Sequence, residues 1–137
     1  MTNTSLAESC LAKARVRLEV LDVFLDKEAY SDVVREAQEV VELALKGMLR
    51  QVGMEPPHWH DVGSLIRQHR DRFPGVADDG TERLVEISTA LRKERELAFY
   101  GAIDFIPTEE YDQEQAEQAL GDANWVVTVA ARTIEPE

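Results

Sequence analysis

Apolar residues recur at helical spacing along most of the chain, and the strict alternation typical of half-buried strands is nearly absent. A first helix is predicted from Ser5 to about Lys27, where apolar residues recur every three or four positions. The stripe consists of Leu11, Ala14, Leu18, Leu21 and Leu25. Ser5 followed by Glu8 is typical of a capping box, which supports a helix start at this point.

A second predicted helix begins near Tyr30 and ends at Gly53, a typical C-terminal stop. Its broad apolar side consists of Val33, Val34, Ala37, Val40, Val41, Ala44, Met48 and Val52. Two pairs of opposite charges lie four residues apart on the other side, as exposed helical surfaces favour. These pairs are Arg35 with Glu39 and Glu42 with Lys46.

The second half of the chain predicts three more helices. Prolines in 55–57 break the second helix, and a short helix follows over 61–72 with Asp61 as its N-cap. A fourth helix is predicted from near Asp79 to about Gly101, with Glu82 in the capping position. The last helix ends before Pro136 and carries Tyr111, Ala116, Ala119, Leu120, Ala123, Val126, Val127 and Ala130.

Four long helices with short connections predict an all-α fold, an antiparallel up-and-down four-helix bundle. The short helix over 61–72 is then one extra element on the second connection. The sequence contains no internal repeat, low-complexity tract or linker, so we expect a single domain over 1–137.

Charge and composition narrow the possible partners. The 137 residues include 15 basic and 27 acidic side chains, a formal charge of −12, which argues against a duplex-DNA-binding protein. No apolar run approaches the roughly 20 residues that cross a bilayer, and the N-terminus lacks a signal-peptide pattern. Cys10, the single cysteine, is interpreted as a small buried apolar residue. We therefore expect a cytoplasmic protein that contacts no membrane.

The usual signatures of cofactor and metal sites are missing from the sequence. Its glycines are scattered rather than grouped in a phosphate loop, and its histidines lack metal-ligand spacing, so we expect neither a cofactor nor a metal. The segment His58-Trp59-His60-Asp61 has two interpretations. It forms part of a metal or nucleobase pocket, or, as we favour, it covers one end of the bundle and starts a helix.

Arg95 is the most informative candidate, because it lies in the middle of the apolar face of the predicted fourth helix. A guanidinium there is costly unless it is paired or lies at an interface. Spacing leaves two possibilities open: Arg95 pairs with Glu94 or with an acid of another helix, or it is held in a cleft where it contacts a phosphate.

Basic and acidic residues are also segregated along the chain. Basic residues concentrate in two groups, which would form a positive groove if they approach each other. They are Arg67, Arg70 and Arg72 in the short helix and Arg92, Lys93 and Arg95 in the fourth. The stretch 97–131 contains no lysine or arginine. Such an anionic face is usually only solvated, and the alternative is that it docks a basic partner.

Three segments together resemble the HEPN family of small helical domains. They are REAQEVVELALK at 35–46, HDVGSL at 60–65 and RELAFYG at 95–101. The segment from Ile106-Pro107 to Tyr111 and the alanine-rich last helix are also similar to this family. The resemblance covers nearly the whole chain, and it implies a four-helix up-and-down bundle that commonly forms homodimers.

RNA-cleaving members of the family have a motif near the end of the penultimate long helix, which consists of an Arg, four to six variable residues and a His. Two copies of this motif meet at the dimer cleft. The Arg binds the scissile phosphate, and the His works with the ribose 2′-hydroxyl. The resemblance places Arg95 at the Arg position and Tyr100 at the His position. A phenol ordinarily has a pKa of about 10, which makes tyrosine a poor general base at neutral pH. An active protein would be a metal-independent endoribonuclease that uses Arg95 and Tyr100.

The resemblance also implies a partner, a separately encoded minimal nucleotidyltransferase in a toxin–antitoxin pair, with Tyr100 as a candidate for modification. Our leading hypothesis is a homodimer that binds nucleotide or RNA phosphate at Arg95, with Arg92 and Lys93 adding positive charge. The alternative is a non-catalytic helical module for dimerisation or partner docking. An active ribonuclease ranks below both.

Overall fold

A computed structural model describes residues 3–56 and 61–135, in which the chain is helical and has no β-strand. In chain order the helices are α1 (Asn3–Asp26), α2 (Tyr30–Gln51), α3 (Val62–Gln68), α4 (Asp78–Phe99), α5 (Pro107–Glu110) and α6 (Gln113–Ile134). A 3-10 turn at Arg70–Arg72 follows α3. The predicted all-α bundle is confirmed, and none of the described helices is long and apolar enough to span a membrane.

The core lies where α1, α2 and α6 pack together. The predicted stripe of α1 faces it, with Leu11, Ala14 and Leu21 almost fully buried. From α2 and α6 the core receives Val33, Val40, Leu45, Met48, Leu49, Val126 and Ala130. Helical periodicity therefore identified the side chains that hold these three helices together.

Helix α2 is the centre of the bundle, since it contacts α1, α4 and α6. The end of α4 lies along the first half of α2, where Arg95 pairs with Glu39 and Phe99 lies against Arg35, so these two helices are antiparallel. At the other end of α2, Gly47 lies beside Ile134 near the end of α6, so α2 and α6 are parallel. The order is up-down-up-down, but the bundle is flattened, because α2 packs on α6 while α4 and α6 barely touch.

The central position of α2 changes the meaning of its charged residues. None of its residues is fully exposed, so the prediction of a solvent-exposed outer side is wrong. Glu42 and Lys46 form the predicted pair at 3.1 Å. Arg35 instead pairs with Glu36 at 3.1 Å, because Glu39 is occupied by an arginine of α4.

Two predicted helix ends are confirmed. Asp61 caps α3, accepting a hydrogen bond from the amide of Gly63 at 3.1 Å. Gly53 follows α2 with a φ of +81°, and the next amide, from Met54, donates to the carbonyl of Leu49 at 2.9 Å. This left-handed glycine closes α2 in a Schellman motif, as its position in the sequence indicated.

Two predicted helix caps are wrong, although α4 starts within one residue of the predicted Asp79. Helix α1 already includes Asn3, so Ser5 lies inside the helix and cannot be its N-cap. Helix α4 begins at Asp78, which places Glu82 beyond the first turn. There its carboxylate accepts two hydrogen bonds from Arg67 of α3 instead of capping α4.

The start of the last helix also differs from the prediction. Tyr111 precedes α6 in extended backbone, with φ −106° and ψ 137°. The N-cap is Asp112, whose side chain accepts from the Gln115 amide at 2.8 Å, while the Gln115 side chain accepts from the Asp112 amide at 2.9 Å. The sequence contains this capping box, but the predicted helix includes Tyr111, which lies two residues before the first residue of α6.

Candidate functional site

Arg95 lies near the C-terminal end of α4, with half of its side chain exposed. Its guanidinium is 3.0 Å from the carboxylate of Glu39 on α2, which is 26% exposed. Pairing with an acid of another helix, one of the possibilities that the sequence left open, is observed. The ion pair also explains how a guanidinium is tolerated next to an apolar helix face.

A second arginine, Arg35, lies at the same place. Its guanidinium carbon is 4.8 Å from the centre of the Phe99 ring, a cation–π arrangement that joins α2 to the end of α4. Arg35, Arg95, Phe99 and Tyr100 line one cleft of about 270 Å³, which we call the arginine cleft. Sequence reasoning missed Arg35 as a site residue, because only the antiparallel packing of α2 and α4 brings it there.

The two aromatic residues of the arginine cleft are exposed to solvent. Phe99 and Tyr100 are 49% and 76% exposed, and their rings pack edge to face with 4.7 Å between centroids. The chain then turns at Gly101, whose φ is +74° and whose amide donates to the Leu97 carbonyl at 3.0 Å. This αL motif ends α4 directly after the aromatic pair, which leaves both rings available for stacking.

Arg92 and Lys93, predicted to add positive charge at Arg95, are exposed on α4 and do not line the arginine cleft. Lys93 lies two residues before Arg95, which is about 200° around a helix, so it extends from a different side of α4. The second guanidinium group that lines the cleft is that of Arg35, which α2 brings beside Arg95.

The predicted positive groove between the two basic groups does not form. Arg67 and Arg70 pair with Glu82, at 2.8 Å and 3.6 Å, near the start of α4. This point is about 20 Å along the helix axis from Arg95. Arg72 donates to the backbone carbonyl of Val52 instead. The basic side chains of the α3 region thus serve to hold the connection between α2 and α4.

Glu42 shows how far the positive charge of the arginine cleft extends. Burial acts to raise its pKa, but hydrogen bonds from Gln38 and Lys46 and the charges of Lys46 and Arg95 outweigh it, so the pKa is lowered. Glu42 stays ionised beside Glu39, and Glu36 pairs with Arg35. An anionic ligand in the cleft must therefore compete with carboxylates that already hold both arginines.

The remaining candidates take no part in this cleft. His58, Trp59 and His60 lie outside the described residues. Cys10 is a free thiol and is half-buried, whereas the sequence predicted a buried residue. Within 3–56 and 61–135, no group of three His, Cys, Asp or Glu side chains is arranged to hold a metal ion.

Comparison with models of protein families gives a match over residues 7–133 to the model described as the HEPN domain. The matched range includes both arginines and both aromatic residues of the arginine cleft. A comparison with curated proteins finds no match.

Proposed function

The chain belongs to the HEPN domain family, and from this premise we propose that its arginine cleft binds the phosphate of a nucleotide or of RNA. One observation carries the proposal: two guanidinium groups and two exposed aromatic rings border the same cleft. Guanidinium groups match the geometry of phosphate oxygens, and aromatic rings stack on bases. A cleft of about 270 Å³ suits one phosphate and the adjacent base rather than a long stretch of chain.

An acidic protein binds an anion only where cations are held together. In the arginine cleft, two carboxylates hold the two arginines in place. Glu39 and Glu36 orient Arg95 and Arg35 in the empty protein. The terminal phosphate of a nucleotide carries more charge than one carboxylate, and an RNA phosphodiester carries an equal charge but brings a base that stacks on the rings. Either ligand replaces these partly exposed ion pairs at low cost. We expect binding that weakens steeply with added salt.

The test is fluorescence anisotropy with a labelled single-stranded oligoribonucleotide, with ATP as a competing free nucleotide. Arg95→Ala and Arg35→Ala should each weaken binding at least about tenfold while the far-UV circular dichroism stays unchanged. Arg132→Ala is the control, because it removes the same charge from an exposed position near the end of α6. Equal affinity of Arg95→Ala and the wild type, or no binding by the wild type, would reject the proposal.

The presence of Tyr100 at the motif position favours phosphate binding without catalysis. The motif position of the general base carries a phenol, which is a weak base at neutral pH. We expect no RNA cleavage by the purified protein above the level of Arg95→Ala. Cleavage lost in Arg95→Ala would replace this form with a metal-independent endoribonuclease that uses Tyr100.

Exposed apolar residues beside the cleft support a homodimer, and they equally favour the alternative of a docking module. Ile103 is fully exposed at the turn after α4, and Ile106 is 50% exposed. Ile103→Asp should convert a dimer into a monomer, measured by light scattering. Ala77→Asp, an exposed position at the opposite end of α4, should leave the dimer intact. If the wild type is itself monomeric, the homodimer is excluded and the docking module is the remaining alternative.

We also propose that a minimal nucleotidyltransferase, the other half of a toxin–antitoxin pair, modifies Tyr100. The exposed phenol supports this. Its oxygen would attack the α-phosphate of a nucleoside triphosphate, forming a P–O bond and releasing pyrophosphate and the phenolic proton. Co-expression with the partner enzyme should add the mass of a nucleoside monophosphate, and Tyr100→Phe should not. Modification of Tyr100→Phe would exclude this site.

A further inference from the structure

A second groove, between α4 and α6, lies apart from the arginine cleft. Both helices pack on α2 but diverge from each other, and the space between them is about 530 Å³. Its floor is apolar and consists of the largely buried Val34, Ile87, Leu91 and Ala119, which expose 4–6% of their surface, with the exposed Ala90 along one side. The residues that line this α4–α6 groove are all different from those of the arginine cleft.

The rim of the α4–α6 groove is acidic. Glu94, Asp112, Glu114 and Asp122 line it, and the lining residues that the structure describes include no lysine or arginine. Towards the start of α4 the groove continues past Glu86 and Arg83. Arg83 lies there, 4.0 Å from Asp122 and over the ring of Trp125. Among the described lining residues, the four rim acids therefore outnumber this one arginine.

Two of these acids are held in place by neutral partners. The Tyr111 hydroxyl donates to Glu94, and the Gln118 side chain donates to Asp122 at 3.0 Å. Burial and the hydrogen bond to Glu94 raise the pKa of Tyr111, so the hydroxyl keeps its proton and remains a donor. The rim thus presents fixed, charged carboxylates, which favour a cationic ligand and repel RNA.

We propose that the α4–α6 groove binds a basic amphipathic helix of a partner protein. The groove lies between two antiparallel helices, and on its floor Ile87 and Leu91 are one helical turn apart. From Arg83 to Glu94 it extends about 16 Å, the length of roughly three helical turns. A helix with apolar residues at three- and four-residue steps fits the floor, and its flanking lysines or arginines meet the rim.

The small residues of the groove support a helix as the occupant. Ala90 at the side of the groove and Ala119 on its floor are small, so another helix can approach both α4 and α6 closely. Such a helix would contact α4 and α6 together, which barely touch each other. A polyamine would neutralise the rim but leave the apolar floor uncovered, so it is the weaker candidate.

The probe is a fluorescein-labelled 18-residue peptide of leucine, alanine and lysine with its leucines on one helical face, titrated with the full chain. A scrambled peptide of the same composition should bind at least tenfold more weakly. The triple variant Glu94→Gln, Glu114→Gln, Asp122→Asn should also weaken binding at least tenfold. Its control removes three exposed acids of α1 by Glu19→Gln, Asp22→Asn and Asp26→Asn, and it should bind as the wild type does.

Two further variants test the place of binding. Ala90→Trp fills the groove without changing its charge and should abolish peptide binding. Arg95→Ala should leave it unchanged, which keeps this proposal independent of the phosphate site. The proposal is overturned if the leucine-faced peptide does not bind, if the scrambled peptide binds equally well, or if Ala90→Trp binds as tightly as the wild type. The proposal is also overturned if spermidine displaces both peptides equally well, because the groove would then attract any polycation.

Discussion

The guanidinium of Arg95 on α4 lies 3.0 Å from the carboxylate of Glu39 on α2. The pair connects the two helices that form the arginine cleft, and it places a negative charge beside the group proposed to bind phosphate. Since both side chains are partly exposed, the pair contributes little to stability. Its larger effect is on ligand affinity, because Glu39 competes with any anion for Arg95.

Glu39→Gln is expected to strengthen binding of the labelled oligoribonucleotide about two- to fivefold. Exposed ion pairs are worth up to about 1 kcal/mol, and removing the competing charge returns that energy to the ligand. Anisotropy titrations of both proteins at the same salt concentration measure the change. Glu82→Gln, which removes an acid paired with Arg67 elsewhere on α4, should leave affinity unchanged. Weaker binding by Glu39→Gln would show that Glu39 positions Arg95 rather than competing for it.

The four long helices were predictable because burial imposes one period on the sequence. In α2, for example, the apolar positions from Val33 to Met48 are buried as predicted. Periodicity does not report which neighbours a helix has. It therefore did not show that α2 packs on three other helices, nor that Glu39 faces Arg95 rather than Arg35.

The candidate site was predictable only in the part that lies on one helix. Arg95 and Tyr100 belong to a single segment, and their spacing identified them. Arg35 is 60 positions away from Arg95 in the chain and joins the cleft by packing alone. The α4–α6 groove depends in the same way on the separation of two helices, although the absence of basic residues over 97–131 already indicated an anionic face.

Gly101→Ala is expected to destabilise the protein by about 2 kcal/mol or more. Its φ of +74° is costly for alanine, and the added Cβ would lie 2.5 Å from the Phe105 carbonyl oxygen and 2.7 Å from Pro107 Cδ. Thermal and urea unfolding measure the loss. Gly121→Ala is the matched control, because a Cβ at that position in α6 meets nothing within 4 Å, and it should stabilise by about 0.5–1 kcal/mol. Equal stability of Gly101→Ala and the wild type would contradict the described turn.

Tyr111→Phe is expected to cost about 1–3 kcal/mol near pH 8, because it removes a hydrogen bond to the Glu94 carboxylate and leaves this half-buried group without a donor. Burial and that hydrogen bond raise the pKa of Tyr111 in the folded protein. Tyr111 therefore ionises first in the unfolded chain, at about pH 10. The stability that its hydrogen bond contributes is lost as the pH rises further. Urea unfolding from pH 8 to 11 should show the two proteins converging. A constant difference would contradict the buried, protonated state.

Glu42→Gln is expected to destabilise the protein by about 1 kcal/mol at pH 7. Burial opposes the charge of Glu42, but the hydrogen bonds from Gln38 and Lys46 and the charges of Lys46 and Arg95 lower its pKa. A lowered pKa in the folded state stabilises the protein above the unfolded value, about 4.3, and this stability disappears as the pH falls through the folded value. Urea unfolding from pH 7 to 3 should therefore bring Glu42→Gln and the wild type together at the acid end. Glu19→Gln, at an exposed position of α1, is the control and should differ from the wild type by less than about 0.5 kcal/mol throughout. A difference for Glu42→Gln that persists undiminished at pH 3 would mean that the side chain of Glu42 acts by packing and not by its charge.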